Sequence, residues 1–274
     1  MRKFSKTWTL MKASLEILKK DKEMLLFPLI SGITLLIVSA SFIVPLFISD
    51  NWISRFLPED NGIVNYMLLF IFYFVTYFVI IFFNAALIGC AKIRIDGGDP
   101  TVLDGFRIAI SHFFHIAVWT FISSSIGVVL QIIEDRFEYV GEIVSDFLGA
   151  AWSITSFFVI PILIIEGKKP STALKDSAKL LKETWGEQAI GNFSFGFVFM
   201  ALCFPALMII SLFALIVQGT ISIAAIIAFI IYMIVLIIIL STLQGIFQTV
   251  LYQYVRFNKV SNGFDAELLI SSIE

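Results

Sequence analysis

Charged residues are scarce in this sequence. Only 15% of the 274 residues are Asp, Glu, Lys or Arg, whereas a soluble domain carries about 25%. The net charge is −2, so the chain has no basic field of the kind that attracts nucleic acid. Because 59% of the residues are hydrophobic, the composition excludes an ordinary soluble domain and a nucleic-acid-binding one.

Cysteine is also scarce, and the common catalytic signatures do not occur. The two cysteines, Cys90 and Cys203, lie within or at the edge of apolar runs. This excludes a disulfide framework of the secreted type and favours a role in packing. No CxxC, HExxH, GxSxG or GxxxxGK[ST] pattern is present. We therefore expect no metal, no cofactor and no enzymatic activity.

Long uncharged runs make up most of the chain. They cover residues 24–49, 61–91, 108–133, 147–165 and 188–255. A membrane-spanning helix needs about 20 apolar residues, so the first four runs can each cross a bilayer once and the last run can cross twice. The sequence predicts an all-α integral membrane bundle of six transmembrane helices. It forms one domain over residues 1–257, followed by a tail over residues 258–274.

Lysine and arginine are distributed very unevenly in this six-span arrangement. Only Arg55 and Arg136 lie on one side, and the other 17 of the 19 lie on the side that holds both termini. Since short basic loops stay in the cytoplasm, both termini are predicted to be cytoplasmic, in a cytoplasmic (inner) membrane. The first run exceeds the roughly 7 to 15 apolar residues of a signal peptide, so we expect the first span to be retained.

Three amphipathic segments precede spans, and the first of them carries a basic face. In each segment the apolar residues step by three and four positions, as on one face of a helix. We predict three cytoplasmic interfacial helices, the third beginning near Pro170 with Ser171 or Thr172 as a cap. Their lysines are expected to meet anionic lipid head groups. This basic belt comprises Lys12, Lys19, Lys20, Lys22, Lys168 and Lys169.

The same arrangement of one interfacial helix and two spans occurs three times. The three units cover residues 1–91, 92–167 and 168–257. Because each unit contains an even number of spans, all three have the same orientation. The pattern therefore predicts a threefold parallel repeat, which differs from the inverted repeats of many transporters.

Three stretches of the chain resemble known proteins. They read KASLEILKKDKEMLLFPLISG, NAALIGCAKIRIDGGDPTVLDGFRIA and VIPILIIEGKKPSTALKDSAKLLKETWGEQAIGN. They resemble a prokaryotic family of six-span membrane proteins of unknown function. In layout they are also distantly similar to the membrane domain attached to some glycerophosphodiester phosphodiesterases. The resemblance, over residues 1–255, implies six helices in a prokaryotic cytoplasmic membrane and no catalytic residues.

Polar side chains inside the predicted spans are the candidate site residues, because such groups are costly at membrane depth. Asn84 lies in the second span, Gln244 and Gln248 lie in the sixth, and all three fall in the cytoplasmic half. The third span begins with two histidines, and two arginines lie near this depth. A cluster of these groups is predicted to bind a lipid head group or a small anion. Its remaining members are His112, His115, Arg94 and Arg107.

Each of these groups also has a structural interpretation. The three amides could simply form hydrogen bonds between helices. The histidines lie one helical turn apart with no neighbouring carboxylate in sequence, so an interfacial pair is favoured over a metal site or proton relay. Glu166 ends the fourth span and is expected to be solvated at the interface. Pro45, Pro161 and Pro205 are each predicted to kink a span and to free a backbone carbonyl.

Three functions follow as hypotheses. The leading one is a non-enzymatic membrane protein that binds lipid, or that organises the membrane or scaffolds a protein partner or a second copy of itself. The second is a permease or channel whose pathway passes Asn84 and Gln244 between the three hairpins. The third is an intramembrane enzyme acting on lipid, with His112 or His115 as base. Because no ionisable residue lies at the middle of a predicted span, the first is favoured over ion-coupled transport.

Overall fold

The computed structural model describes residues 14–48, 62–137, 140–184, 200–205, 207–208 and 220–257. These residues are mostly helical and include no strand. Residues 14–20 form a helical segment, and a 3-10 turn (Lys22–Leu25) joins it to the next helix. We number the following helices α1 (Leu26–Ile48), α2 (Gly62–Ile95), α3 (Val102–Ser111), α4 (Phe113–Arg136), α5 (Gly141–Thr155), α6 (Val159–Ile165), α7 (Pro170–Thr184) and α8 (Thr220–Phe257).

Five segments among the described residues are long and apolar enough to cross a membrane. They are Lys22–Val44, Ile63–Ile95, Phe113–Arg136, Gly141–Ile165 and Ala225–Phe257. These correspond to the predicted first, second, third, fourth and sixth spans, as in a multi-pass membrane protein. The predicted fifth span and the tail over residues 258–274 lie largely or wholly outside the described residues. The count of six spans and the threefold repeat therefore stay predictions.

Helix α2 is central to the bundle, since α1, α3, α4 and α8 all pack against it. Small residues permit this close packing: Ala85, Ala86 and Ala91 are fully buried. Gly89 of α2 also lies so close to Ile108 of α3 that a β-carbon there would be 2.9 Å from its side chain. The sequence of α2 thus fixes the positions of helices on several of its sides.

The two ends of the bundle differ in charge. Arg94, at the end of α2, pairs with Asp21 just before α1, and Arg256 of α8 pairs with Glu166 just after α6. We call this the basic end. At the opposite end, the Tyr66 hydroxyl near the start of α2 donates a hydrogen bond to Asp135 near the end of α4 (3.2 Å).

The described parts of the three predicted interfacial segments each bury one face at the basic end. Ser14 and Ile17 are buried in the first segment, whose residues before position 14 lie outside the described ranges. Helix α3 buries Gly105 and Ala109, and α7 buries a further set of small and apolar residues. That set is Ala173, Ser177, Leu180 and Leu181.

The start of α7 corrects one detail of the prediction. The helix begins at Pro170 itself, and the Ala173 N–H donates to the Lys169 carbonyl (2.9 Å). Ser171 and Thr172 therefore lie inside the first turn and do not precede it as caps. Proline suits this first position because its fixed φ matches a helix and the first turn needs no N–H donor.

The fourth predicted span is interrupted at residues 156–158, between α5 and α6. Ser177 of α7 satisfies the broken backbone on both sides. Its hydroxyl donates to the Thr155 carbonyl (2.7 Å) and accepts from the Phe158 N–H (3.0 Å). Because unpaired backbone groups are costly away from water, this single buried side chain stabilises the interruption and positions α7 beside it.

Candidate functional site

A cavity of about 650 Å³ lies between α1, α2 and α8. Both α1 and α8 pack on α2, so the side of α2 between them forms the floor of the cavity. Asn84 on this floor is 11 residues from the end of α2, which places it roughly 16 Å from that end at 1.5 Å per residue. The cavity, here called the α1–α8 groove, therefore lies in the half of the bundle nearer the basic end.

Four polar side chains line the groove without a protein hydrogen bond in the described part of the chain. They are Ser31, Asn84, Ser241 and Gln244. Elsewhere in the same helices, hydroxyls bond to the carbonyl four residues earlier, as Thr34 (2.8 Å) and Thr242 (2.7 Å) do. An unsatisfied polar group away from water costs about 1–3 kcal/mol. The groove thus collects hydrogen-bonding groups that the fold does not use.

Two glycines shape the groove in different ways. A β-carbon at Gly245 of α8 would lie 2.5 Å from a methyl of Leu87 and 3.4 Å from Oδ1 of Asn84. The missing side chain therefore lets α8 approach α2 and brings Asn84 against it. Gly32 of α1 has no atom within 4 Å of the place where a β-carbon would lie. Its backbone faces the open space of the groove.

The rim of the groove is mostly apolar and lies on the outside of the bundle, where Ser241 and Gln244 of α8 are exposed as well. Ile33 and Leu36 of α1 and Ile234 and Ile237 of α8 line the cavity and are also exposed. All four belong to segments apolar enough to span a membrane. The groove consequently opens sideways, toward the surface that these helices present to their surroundings.

Gln248 also lines the groove, but its amide has a structural partner. Its Nε2 donates a hydrogen bond to the Phe157 carbonyl at the interruption between α5 and α6. That carbonyl is the one whose helical donor would be the N–H of residue 161, and Pro161 has none. The prediction that Pro161 frees a carbonyl holds, and Gln248 provides the replacement donor. Of the three predicted amides, Gln248 is the one that joins helices.

The two arginines of the predicted site do not line the groove. The guanidinium of Arg94 bonds to the carboxylates of Asp21 and Asp99. Arg107 is 71% exposed and lies 3.7 Å from Asp104 in a weak ion pair. The carboxylates of Asp21 and Asp99 already neutralise the charge of Arg94, which disfavours its predicted role in binding an anion.

The histidines also lie apart from the groove. The Nδ1 of His112 is 2.9 Å from the Ile108 carbonyl, and the ring centroids of His112 and His115 are 6.3 Å apart. In the described ranges, no group of three His, Cys, Asp or Glu side chains could hold a metal ion. Of the predicted cluster, the three amides line the groove, whereas the two arginines and the two histidines do not.

Glu166 is not solvated as predicted, because its side chain is only 15% exposed. It accepts hydrogen bonds from Tyr252 and Arg256 of α8 and pairs with Lys168 (2.7 Å). Burial raises the pKa of Glu166, but the bonds from Lys168, Tyr252 and Arg256 outweigh burial and hold the pKa below its ordinary value of 4.5. Lys168 also bonds to Asp176 (2.6 Å), and these carboxylates raise the pKa of Lys168.

The predicted basic belt is therefore only partly available. Lys168 is held by its two carboxylates, and Lys12 lies outside the described residues. The remaining members are exposed at the basic end: Lys19, Lys20, Lys22 and Lys169.

Sequence reasoning missed Ser31 and Ser241 as site residues. A signal for Ser241 was present, since Ser241, Gln244 and Gln248 are spaced by three and four positions and so lie on one helical face. Ser31 sits beside Gly32, but nothing in the sequence indicates that the face of α1 carrying them is opposite Asn84.

Helices of this length and hydropathy, surrounding a polar-floored groove, define a helical membrane protein with a candidate binding site. The chain belongs to a family of unknown function (DUF6159), whose model matches residues 63–263. The predicted membership in an uncharacterised family is confirmed, and the match gives no link to the glycerophosphodiester phosphodiesterase membrane domains. No curated protein and no solved structure matches the chain significantly.

Proposed function

We propose that this chain is a non-enzymatic membrane protein that binds a membrane lipid in the α1–α8 groove. One observation carries the proposal: Ser31, Asn84, Ser241 and Gln244 lack hydrogen-bond partners in the described chain, in a cavity whose rim is mostly apolar and laterally exposed. A membrane lipid likewise combines a polar group with apolar chains. Its polar group satisfies the floor, and its acyl chains pass over the rim into the bilayer.

The exposed lysines at the basic end support a particular orientation. Lys19, Lys20, Lys22 and Lys169 are all exposed at this end, alongside the exposed carboxylates of Glu16 and Glu23. Each charge near an anionic leaflet contributes about 1 kcal/mol of attraction. We propose that this end is cytoplasmic and that anionic lipids contact it electrostatically, whereas the groove binds one lipid by its shape and polar floor.

A permease is the second candidate, because Asn84 and Gln244 line one cavity, as the pathway hypothesis requires. The lateral, apolar rim favours the lipid instead. A pathway for a water-soluble solute needs an opening toward the aqueous phase. A permease would be detected as solute flux into sealed proteoliposomes that contain the protein.

The substitution Gly32→Leu tests the lipid proposal directly. A leucine side chain at Gly32 extends into the groove without meeting a neighbour at its β-carbon. Replacing a glycine inside a helix also stabilises that helix by roughly 0.5–1 kcal/mol. We expect co-purifying lipid to be lost while thermal stability is kept or raised. Native mass spectrometry of protein extracted with its surrounding membrane measures the bound lipid.

Ala40→Leu is the matched control, because Ala40 lies on an exposed part of α1 and does not line the groove. Its lipid adducts should equal those of the wild type. Adducts that persist unchanged in Gly32→Leu would exclude the groove as the lipid site. A change from dimer to monomer in Gly32→Leu, with no change in lipid, would instead identify a second copy of the chain as the occupant.

A further inference from the structure

We infer that the lipid in the groove is an uncharged glycerolipid, a diacylglycerol, held by its free hydroxyl and ester carbonyls. This inference rests on the proposed lipid-binding function and adds the chemical class of the ligand. It differs from the anionic lipid expected at the basic belt. Three features of the groove carry it: the charge of its lining, its balance of donors and acceptors, and its size relative to a lipid.

No charged residue is among the described residues that line the groove. A phosphate head group placed there would lose its hydration and gain no cation in return, which strongly disfavours it. Among the cations nearest in sequence, Arg94 pairs with Asp21 and Asp99, Lys92 pairs with Asp96, and Arg256 pairs with Glu166. Lys22 is exposed at the basic end and does not line the groove. The groove therefore selects against the anionic lipids that the exposed lysines attract.

The groove offers both donors and acceptors. The amides of Asn84 and Gln244 each present a carbonyl oxygen and two N–H groups, and Ser31 and Ser241 each present a hydroxyl. A ligand with acceptors alone, such as a quinone, leaves the two amide oxygens without a donor from the ligand. A diacylglycerol has one hydroxyl, which donates and accepts, and two ester carbonyls, which accept. It matches the floor more completely than an acceptor-only lipid or a hydrocarbon does.

The size of the groove fits the glycerol part of such a lipid. Its volume of about 650 Å³ is in the range of small-molecule sites, roughly 300–1,000 Å³, and is too small to enclose two long acyl chains as well. The chains must leave between α1 and α8. There they contact Ile33, Leu36 and Ile237, which are exposed and apolar.

Competition among lipids with identical acyl chains tests the inference. The full-length protein, stripped of lipid and reconstituted in phosphatidylcholine nanodiscs, is supplied with equal amounts of dioleoylglycerol, its methyl ether and dioleoylphosphatidic acid. We expect dioleoylglycerol to be retained about tenfold more than either competitor, since the ether lacks the donor and the acid carries the charge. Asn84→Leu should remove this preference. Thr76→Val is the matched control, because the Thr76 hydroxyl bonds within its own helix to Phe72 (2.8 Å).

The alternative outcomes separate the two proposals. Preferential retention of phosphatidic acid that depends on Asn84 would overturn the diacylglycerol inference and leave lipid binding in the groove standing. Equal retention of the methyl ether would likewise exclude the hydroxyl as the recognised group. If no lipid is retained in a manner that depends on Asn84 or is blocked by Gly32→Leu, the proposed function fails together with the inference.

Discussion

Glu166 links the interrupted fourth span to α8 through a single carboxylate. It accepts from Tyr252 and Arg256 and pairs with Lys168. With its side chain only 15% exposed, removing its charge leaves these donors with a weaker, neutral acceptor. The linkage lies at the basic end, so it holds α8 beside α6 there without entering the groove.

This arrangement predicts an acid-sensitive contribution to stability. The folded-state pKa of Glu166 is below its ordinary value of 4.5, so the contribution is complete above the unfolded-state pKa and is lost as pH falls through the folded one. Glu166→Gln should lower the free energy of unfolding by about 1–3 kcal/mol at pH 7. The difference from wild type should shrink below about pH 4.5, as measured by thermal unfolding in detergent. A cost that is independent of pH would contradict the role of the ionised carboxylate.

At the scale of elements, α3 is fixed to the bundle by one close approach. A β-carbon at Gly105 would lie 2.5 Å from the ring of Phe27, 2.8 Å from Sγ of Cys90 and 3.0 Å from the carbonyl of Ala86. These atoms belong to both α1 and α2. Glycine at this position therefore lets a short helix pack against two spans at once, with a Thr101–Asp104 capping box fixing its start.

Gly105→Ala should consequently destabilise the protein by about 1–3 kcal/mol, since the backbone carbonyl cannot move aside easily. Gly32→Ala is the control, because both glycines are helical but Gly32 has free space around it. That control should instead stabilise the protein by roughly 0.5–1 kcal/mol. Thermal unfolding midpoints measure both changes. Equal stability of the two variants would show that α3 tolerates a displacement at this contact.

The positions of the helices could be predicted from the sequence more completely than the contacts between them. The uncharged runs predicted six spans, and five of these coincide with described segments that are long and apolar enough to cross a membrane. The interruption at residues 156–158 was not predicted in that form. A proline at position 161 indicates a kink, but the stabilising groups, Ser177 and Gln248, come from helices that are distant in sequence.

For the whole molecule, the six-span topology predicts which positions are reachable from each side of the membrane. Single cysteines at Asn61 and Glu138 should react with an impermeant maleimide added to intact cells, whereas cysteines at Thr172 and Asn262 should not. Cys90 and Cys203 are buried and should stay silent as background. Labelling of a cysteine at Thr172 in intact cells would contradict the predicted topology. Labelling of that cysteine only after cell lysis would support it.

The site could be predicted only in part, for a reason that also belongs to this scale. Depth can be counted along each helix, and Asn84 and Gln244, which are predicted at a similar depth, line one cavity. The rotation of one helix about its axis relative to a neighbouring helix cannot be derived from residue positions in the sequence. The structure separates Arg94 and His112 from the groove and adds Ser31 and Ser241, because those assignments depend on which faces meet.

The sideways opening of the α1–α8 groove changes how its ligand would be encountered. A lipid arriving over Ile33 and Leu36 never leaves the membrane, so its supply is a two-dimensional search governed by mole fraction in the bilayer rather than by aqueous concentration. Because the groove lies in the half nearer the basic end, such a lipid would reach it from a single leaflet. Occupancy would then follow the asymmetry of that membrane, and movement of the same lipid to the opposite leaflet would empty the groove without any change in total lipid.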